Sequence, residues 1–503
     1  MPSISFLAIL LFSLGFSTPA DLSLAHREPL YTFNYENVLG TSLVLKIGAG
    51  SLEHAEKAEA AARGEIAREA KILSAWDSGS EFSRWFKSSG QTVRVSGELF
   101  EVLGLFDQWR TRTNGALDAS AEAITRVWKT AEKENRTPSR AELAAAISSL
   151  RRTHWTLDSA NQTATHTSDA PLALNSFAKS YIVGRAANVA LASEGVWAVV
   201  VNIGGDLVVR GALTEPVDIA DPKSDADNSP PLATLLIRDR AVATSGNYRR
   251  GVEIGGRHYS HIVDPRTGMP AEEIVSSTAV APNAADAGAL ATALSVLAPA
   301  EGRRLASSVP GAEFLLVTKN GEQVMSPGWR ALVAAARPQA RYVLAADTSG
   351  WDPSFELTIG VELARFDFWA KRPYLAVWVE DKDKFPVRTI ALWQRKPRYL
   401  SDLRAWYRDD RLRERKEGSD ITNSVTSATR SPGKYTINWD GKDNAGKYVK
   451  PGKYTVFIEA AREHGSYGLM QQDMDFNSVP KKVNLPGNTE VTAAFLDYHK
   501  RTQ

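Results

Sequence analysis

The 503-residue chain has no cysteine. Disulfides, thiolate metal sites, a cysteine nucleophile and a lipid anchor on cysteine are therefore excluded. It also lacks an apolar run of the roughly 20 residues needed to span a bilayer. The one apolar stretch of note, Ser3 to Phe16, is too short. It is followed by Ser17-Thr18-Pro19-Ala20 and Ser23-Leu24-Ala25, which offer small-x-small cleavage sites. That pattern predicts a secretory signal peptide over residues 1–25, with a buried first strand or helix as the alternative. Export places the mature chain, without a transmembrane helix, in a periplasmic or extracellular space. Charge of one sign is missing as well. The net charge is +2, which does not suit a general nucleic-acid binder. There is no internal repeat and no long low-complexity segment.

What is present is ordinary globular material, 43% hydrophobic and 23% charged, in a chain long enough for two to four domains. Residues 32–337 mix helical and strand-like patterns. Ser51 to Trp76 reads as helix, and Ser139-Arg140-Ala141-Glu142 is a capping box opening another. Ser176 to Glu194 reads as a helix stopped by Gly195, Val196 to Val201 as a buried strand resumed at Leu207–Val209, and Ala284 to Leu297 as an apolar helix. This order predicts an α+β domain. Composition shifts over residues 338–353, read as a linker. Short strands with turn dipeptides Asp440-Gly441 and Pro451-Gly452 then predict a β-sandwich-like domain over residues 354–503. Between Lys371 and Lys416 stand 14 basic and 7 acidic residues, which read as a solvated face or as a docking patch for an acidic partner.

Four clusters could carry chemistry. Asn202-Ile203-Gly204-Gly205-Asp206 breaks a strand; its glycines permit positive φ and close backbone approach to phosphate oxygens, and it also suits a plain turn. Thr244-Ser245-Gly246-Asn247-Tyr248-Arg249 offers hydroxyls and a guanidinium to a phosphate, or is a polar loop. Tyr259-Ser260-His261-Ile262-Val263-Asp264-Pro265-Arg266-Thr267-Gly268 packs polar groups densely around His261, a general base, a phosphate-positioning group or a structural histidine. Ala289 to Leu294 is either a close-packing helix face or, through Thr292, an oxygen ligand for a hard cation.

In this order the clusters resemble the ApbE family, flavin transferases that move FMN from FAD onto a Ser or Thr of a target protein. The resemblance runs from about Asn37 to Gly328. It includes Leu39-Gly40-Thr41, Trp76 through Phe86, Asn114-Gly115-Ala116-Leu117-Asp118 and Phe177-Ala178-Lys179-Ser180-Tyr181, and its most specific mark is Tyr259 to Gly268. The resemblance implies FAD as substrate, with His261 taking the proton of the attacking hydroxyl. It implies Lys179, Asn202, Gly204, Gly205, Asp206, Thr244, Ser245, Gly246, Arg249, Asp264, Arg266 and Thr267 as the flavin-nucleotide site. It further implies Mg²⁺, held by the backbone carbonyl of the Ala178–Lys179 segment, Thr292 and an Asp four residues before it.

The sequence departs from the family at two places. The family's helix start reads Leu-Asp-Leu-Gly-Gly-x-Ala-Lys-Gly-Tyr. Here it is Leu172-Ala173-Leu174-Asn175-Ser176-Phe177-Ala178-Lys179-Ser180-Tyr181, so the Asp is lost and all three glycines are replaced, and each added Cβ crowds a ligand brought close to the backbone. The metal-ligand Asp position is Gly288. Asp286, two residues earlier and about 200° round a helix, supplies the ligand only if the helix shifts register.

The C-terminal part resembles an uncharacterised bacterial family often encoded beside or fused to these transferases, on Tyr374–Glu380, Arg388–Trp393, Leu403–Tyr407 and Ala460 to Gly465. The partner implied is a flavin-accepting protein with a Ser/Thr acceptor motif, Asp-x-x-Ser-Gly-Ala-Thr. Asn423 to Thr429 follows that motif in part, which makes Thr429 a possible self-acceptor in an exposed loop, or simply part of a Ser/Thr-rich loop. Three readings follow: an exported FAD:protein FMN transferase, a flavin-binding protein without transfer chemistry, and an acceptor or adaptor of a periplasmic flavin-based electron-transfer system.

Overall fold

A computed structural model describes residues 29–223, 231–247, 251–334, 351–365, 372–395, 397–418, 421, 426–430, 432–463 and 465–501. The expected signal peptide, Arg249, Asn423 to Val425 and most of the expected linker lie outside the described residues.

The first half is built on one eight-stranded sheet whose spatial order follows the chain. Its strands are β1 (Leu30–Val38), β2 (Thr41–Ala49), β3 (Val196–Ile203), β4 (Asp206–Gly211), β5 (Ala241–Gly246), β6 (Ile274–Ala281), β7 (Glu313–Thr318) and β8 (Gln323–Met325). Every neighbouring pair is antiparallel. Side chains alternate across such a sheet, and here both faces are covered. Val199, Val201 and Ile203 enter the large core beneath the helices, while Val200 enters a second core with Leu207, Val209 and Trp329. That double burial is why β3 reads as a continuous apolar run.

Several helices supply the larger core, among them α1 (Leu52–Leu73), α2 (Ala178–Leu191) and α3 (Ala284–Val296). Ser51 caps α1 by accepting from His54 N at 3.2 Å, and Asn283 caps α3 by accepting from Ala285 N at 2.8 Å. The capping box at Ser139 and Glu142 forms as expected. Helix α2 is shorter than the expected Ser176–Glu194: it starts at Ala178 without a side-chain cap and ends at Leu191. Gly195, at φ +71°, turns the chain into β3 rather than ending the helix directly.

The second half packs two sheets on one core. The strands are β9 (Phe355–Leu363), β10 (Tyr374–Glu380), β11 (Pro386–Gln394), β12 (Thr426–Ala428), β13 (Gly433–Trp439), β14 (Gly452–Ala461), β15 (Tyr467–Phe476), β16 (Lys481–Leu485) and β17 (Val491–Lys500). One sheet runs β13-β9-β17-β16 and the other β12-β11-β10-β14-β15. Leu357, Ile359, Val377, Ile458, Trp439 and Leu496 meet between them, the core of a β-sandwich.

The outer face of the second sheet is covered by a helix that the sequence reading missed, α4 (Arg404–Glu417), through Leu403 and Trp406 against Ala376, Trp378 and Leu392. Its dense charge hides a narrow apolar stripe. The basic run is accordingly not a uniformly solvated face. Arg413 is fully buried with Asp410 at 2.8 Å, and Arg372 pairs with Glu36 in β1. Arg395 lies 5.5 Å over the Tyr35 ring, and its carbonyl accepts from Asn34 N at 2.6 Å. The docking partner of these two basic residues is the first half of the same chain.

Thr429 also corrects its expectation. The segment before it is strand β12, paired in parallel with β11, and Thr429 is 3% exposed. It is not on an exposed loop, so it is not poised to accept a group.

Candidate functional site

The site forms where the β3–β4 turn, the end of β5, the start of α2 and the loop after the Arg257–Ser260 strand converge. Gly204 and Gly205 take φ of +54° and +94°, a conformation that favours glycine. Gly205 N donates to Asn202 Oδ1 at 3.1 Å, and Gly204 N to the Ser42 carbonyl at 3.1 Å. A Cβ on Gly204 would lie 2.6 Å from the Thr41 side chain, so the glycine lets the turn press against β2.

Asp206 leaves this turn buried. Its Oδ2 accepts from Ser180 Oγ at 2.6 Å, and Lys179 Nζ is 3.5 Å from its Oδ1 and 3.3 Å from the Gly204 carbonyl. Burial raises the Asp206 carboxyl above its ordinary value, opposed by the Lys179 charge and the Ser180 hydrogen bond.

These groups enclose a cavity of about 660 Å³, within the size range of small-molecule sites. Lys179, Asn202, Gly204, Gly205, Asp206, Thr244, Ser245, Gly246, His261 and Thr292 all line it. Residues from five separate stretches of sequence are thus brought to one place. Thr41 and Asp118 line it too. Neither was singled out as a site residue, although both sit in the motifs Leu39-Gly40-Thr41 and Asn114–Asp118. Asp118 pairs with Arg110 at 2.8 Å and accepts from the Ser120 hydroxyl at 2.6 Å, so it shapes the loop beside the cavity.

Asp264, Arg266 and Thr267 do not line the cavity. The Asp264 carboxylate binds the Arg266 guanidinium at 2.9 Å and the Arg266 amide at 2.9 Å, and its carbonyl accepts from Gly268 N at 2.8 Å. Those groups are spent on their own turn, anchored when Trp128 Nε1 donates to the Gly268 carbonyl at 2.9 Å. These bonds shape the loop that carries His261.

The metal ligands expected here do not assemble. Thr292 lines the cavity, but its hydroxyl donates to the Ser176 carbonyl at 2.9 Å. Ala178 is buried and is not part of the lining. Asp286 lines a separate cavity with Arg112 and Glu301. Burial raises its carboxyl, opposed by Arg112 and a hydrogen bond from the Trp109 indole. Helix α3 keeps its register, so Asp286 does not replace the missing carboxylate. Among the described residues, no group of three His, Asp or Glu side chains could hold a metal ion. The donor set does not fit Mg²⁺.

An antiparallel sheet whose strand ends, helix start and one histidine loop surround a nucleotide-sized cavity defines a small-molecule-binding α+β domain, here joined to a β-sandwich. The chain belongs to the ApbE family, whose model matches residues 39–316, and residues 356–493 match the family described as predicted periplasmic protein DUF2271. The chain is 26% identical to the FAD:protein FMN transferase of Klebsiella pneumoniae (strain 342) over 296 residues, 56% of this chain and 84% of that protein. It is 30% identical to the FAD:protein FMN transferase of Vibrio cholerae over 249 residues, 47% of this chain and 72% of that protein. Its fold matches the crystal structure of the ApbE protein of Thermotoga maritima with a TM-score of 0.55 and 26% identity, over 61% of this chain and all of that one. Among the described residues, no helix is long and apolar enough to cross a membrane.

Proposed function

We propose that this chain is an exported FAD:protein FMN transferase. The observation that carries the reading is the single cavity that gathers Lys179, the Gly204–Gly205 turn, Thr244 to Gly246 and His261. Glycine backbone and small hydroxyls suit a dinucleotide, and the Lys179 ammonium suits its phosphates. The His261 imidazole takes the proton of an acceptor Ser or Thr hydroxyl. The acceptor oxygen bonds to the FMN-side phosphorus, the pyrophosphate P–O bond breaks, and AMP carries the leaving charge away.

The partner is a flavin-accepting protein in the periplasm, a location supported by the family description of the second half. We assign residues 32–337 to the transferase unit, 338–353 to a connector and 354–503 to the sandwich. The test is incubation of the purified chain with FAD and a protein carrying the acceptor motif. Covalent flavin fluorescence on a denaturing gel is expected, and its absence overturns the reading.

A second reading, a flavin-binding protein without transfer chemistry, is favoured by one observation. The Ser180 hydroxyl fills the space beside Gly288, where the family resemblance places a metal-binding carboxylate. FAD binding without any transfer is its signature.

A further inference from the structure

Ser180 and Gly288 lie 108 positions apart in the chain, yet in space they are one feature. Helices α2 and α3 approach closely at their small residues. A Cβ on Gly184 would lie 3.0 Å from Ala284 Cβ, and one on Gly288 would lie 2.1 Å from Ser180 Oγ and 2.8 Å from Ser180 Cβ. Rotating the Ser180 hydroxyl cannot relieve this, because the β-carbon is fixed by the backbone. The hydroxyl is also held by Asp206 at 2.6 Å in a buried hydrogen bond. The side chain at 180 thus occupies the space in which a side chain at 288 would begin.

We propose that Ser180 closes the divalent-cation position of this cavity, so that the cavity takes its flavin nucleotide without Mg²⁺ or Mn²⁺. Three further observations agree. The Asp206 carboxylate, the buried acid beside Ser180, is bound by the Ser180 hydroxyl and sits 3.5 Å from the Lys179 ammonium. The Thr292 hydroxyl is spent on the Ser176 carbonyl. Asp286 faces a different cavity. A hard cation needs several oxygen ligands, and the three that the expected site would draw on here are bound, spent or turned away. Lys179 is left as the cavity's lysine, placed at the Gly204 carbonyl where phosphates would meet the glycine turn.

The nucleotide half of this proposal rests on the flavin reading above; the metal half does not. The test therefore has two arms on the full mature chain. In the first, Mn²⁺ alone is titrated and free Mn²⁺ is read by its EPR signal. No depletion up to about 1 mM is expected for the wild type, and sub-millimolar binding overturns the proposal. Gly288→Asp alone should lower the melting temperature and gain no Mn²⁺ binding, because Ser180 remains in place. The double variant Ser180→Gly/Gly288→Asp should recover part of the melting temperature and bind Mn²⁺ at least tenfold more tightly than the wild type. A single variant as stable as the wild type, or a double variant with no gain in binding, overturns the coupling. In the second arm, FAD affinity is measured by titration calorimetry in EDTA and in Mg²⁺. Less than a twofold difference is expected, and a tenfold loss in EDTA overturns the proposal. If FAD does not bind in either buffer, the flavin reading fails while the Mn²⁺ arm still decides the metal claim.

Discussion

The two halves of the chain bury polar groups to different ends. In the first half, Lys179, Asn202, Asp206, Thr244 and His261 surround an open cavity, and their hydrogen bonds leave room for a ligand. In the second half, buried carboxylates are closed in by donors of their own chain. Glu459 is fully buried and accepts from the Ala405 and Trp406 amides at 2.9 and 2.8 Å, and Glu380 accepts from the Trp378 indole at 3.0 Å. The difference teaches where to look for chemistry. A polar group that shapes a cavity acts on what enters it. A polar group closed in by its own chain acts on the fold.

The comparison breaks most sharply at His261. If the first half is built for transfer, His261→Ala should slow FMN transfer by about 10²–10⁴-fold, the usual range for a lost general base, while FAD affinity and melting temperature hold. Transfer kinetics with a saturating acceptor protein check this, and wild-type rates in the variant end the assignment. Lys179→Gln comes next. Loss of a charged contact to phosphate should weaken FAD binding by about 10- to 100-fold, from the roughly 1.5–3 kcal/mol of a charge-assisted hydrogen bond, and calorimetry reads it directly.

Much of this was legible in the sequence, for identifiable reasons. The β3 run, the Ser139 capping box and strands β9, β10 and β13 follow from local pattern, because burial and capping act on neighbours in the chain. The glycine turn at Gly204 and Gly205 was legible because only glycine tolerates that backbone so close to Thr41. Helix α4 was not, because its dense charge masks a narrow apolar stripe and its first amides are held by Glu459, 55 residues beyond its first residue. The pairing of Asp264 with Arg266 was less legible, because composition alone does not show that a two-residue spacing lets them bind each other. The reciprocal fit of Ser180 with Gly288 had no local signal at all. Each reads as a single exchanged residue, and only the approach of α2 to α3 joins them.

Glu459→Ala tests the other side of the comparison. It strands two buried amides at the start of α4, a cost of about 1–3 kcal/mol for each group left without a partner. Thermal unfolding of the sandwich should fall by several degrees, with FAD affinity unchanged. A loss of FAD binding without a loss of stability would show that the second half reaches the cavity, and would undo the division drawn here.

The smallest effect expected is at Glu380, and it depends on pH. Burial pushes its carboxyl up to about 7, aided by the hydrogen bond and charge of Asp409 and opposed by the Trp378 indole and by Arg408. An unfolded chain releases that proton near the ordinary value of 4.5. Between pH 4.5 and 7 the folded state therefore binds the proton more tightly than the unfolded state, and stability falls as pH rises through that window. Glu380→Gln removes the titration while its amide keeps a donor for Asp409 and an acceptor for Trp378. The variant should match the wild type below pH 4.5 and exceed it by up to about 3 kcal/mol at pH 8, several degrees in the melting temperature of a domain this size. Melting curves at pH 4, 6 and 8 decide it. A constant difference across the three would mean that Glu380 titrates alike in the folded and unfolded chain, and would overturn the effect of burial.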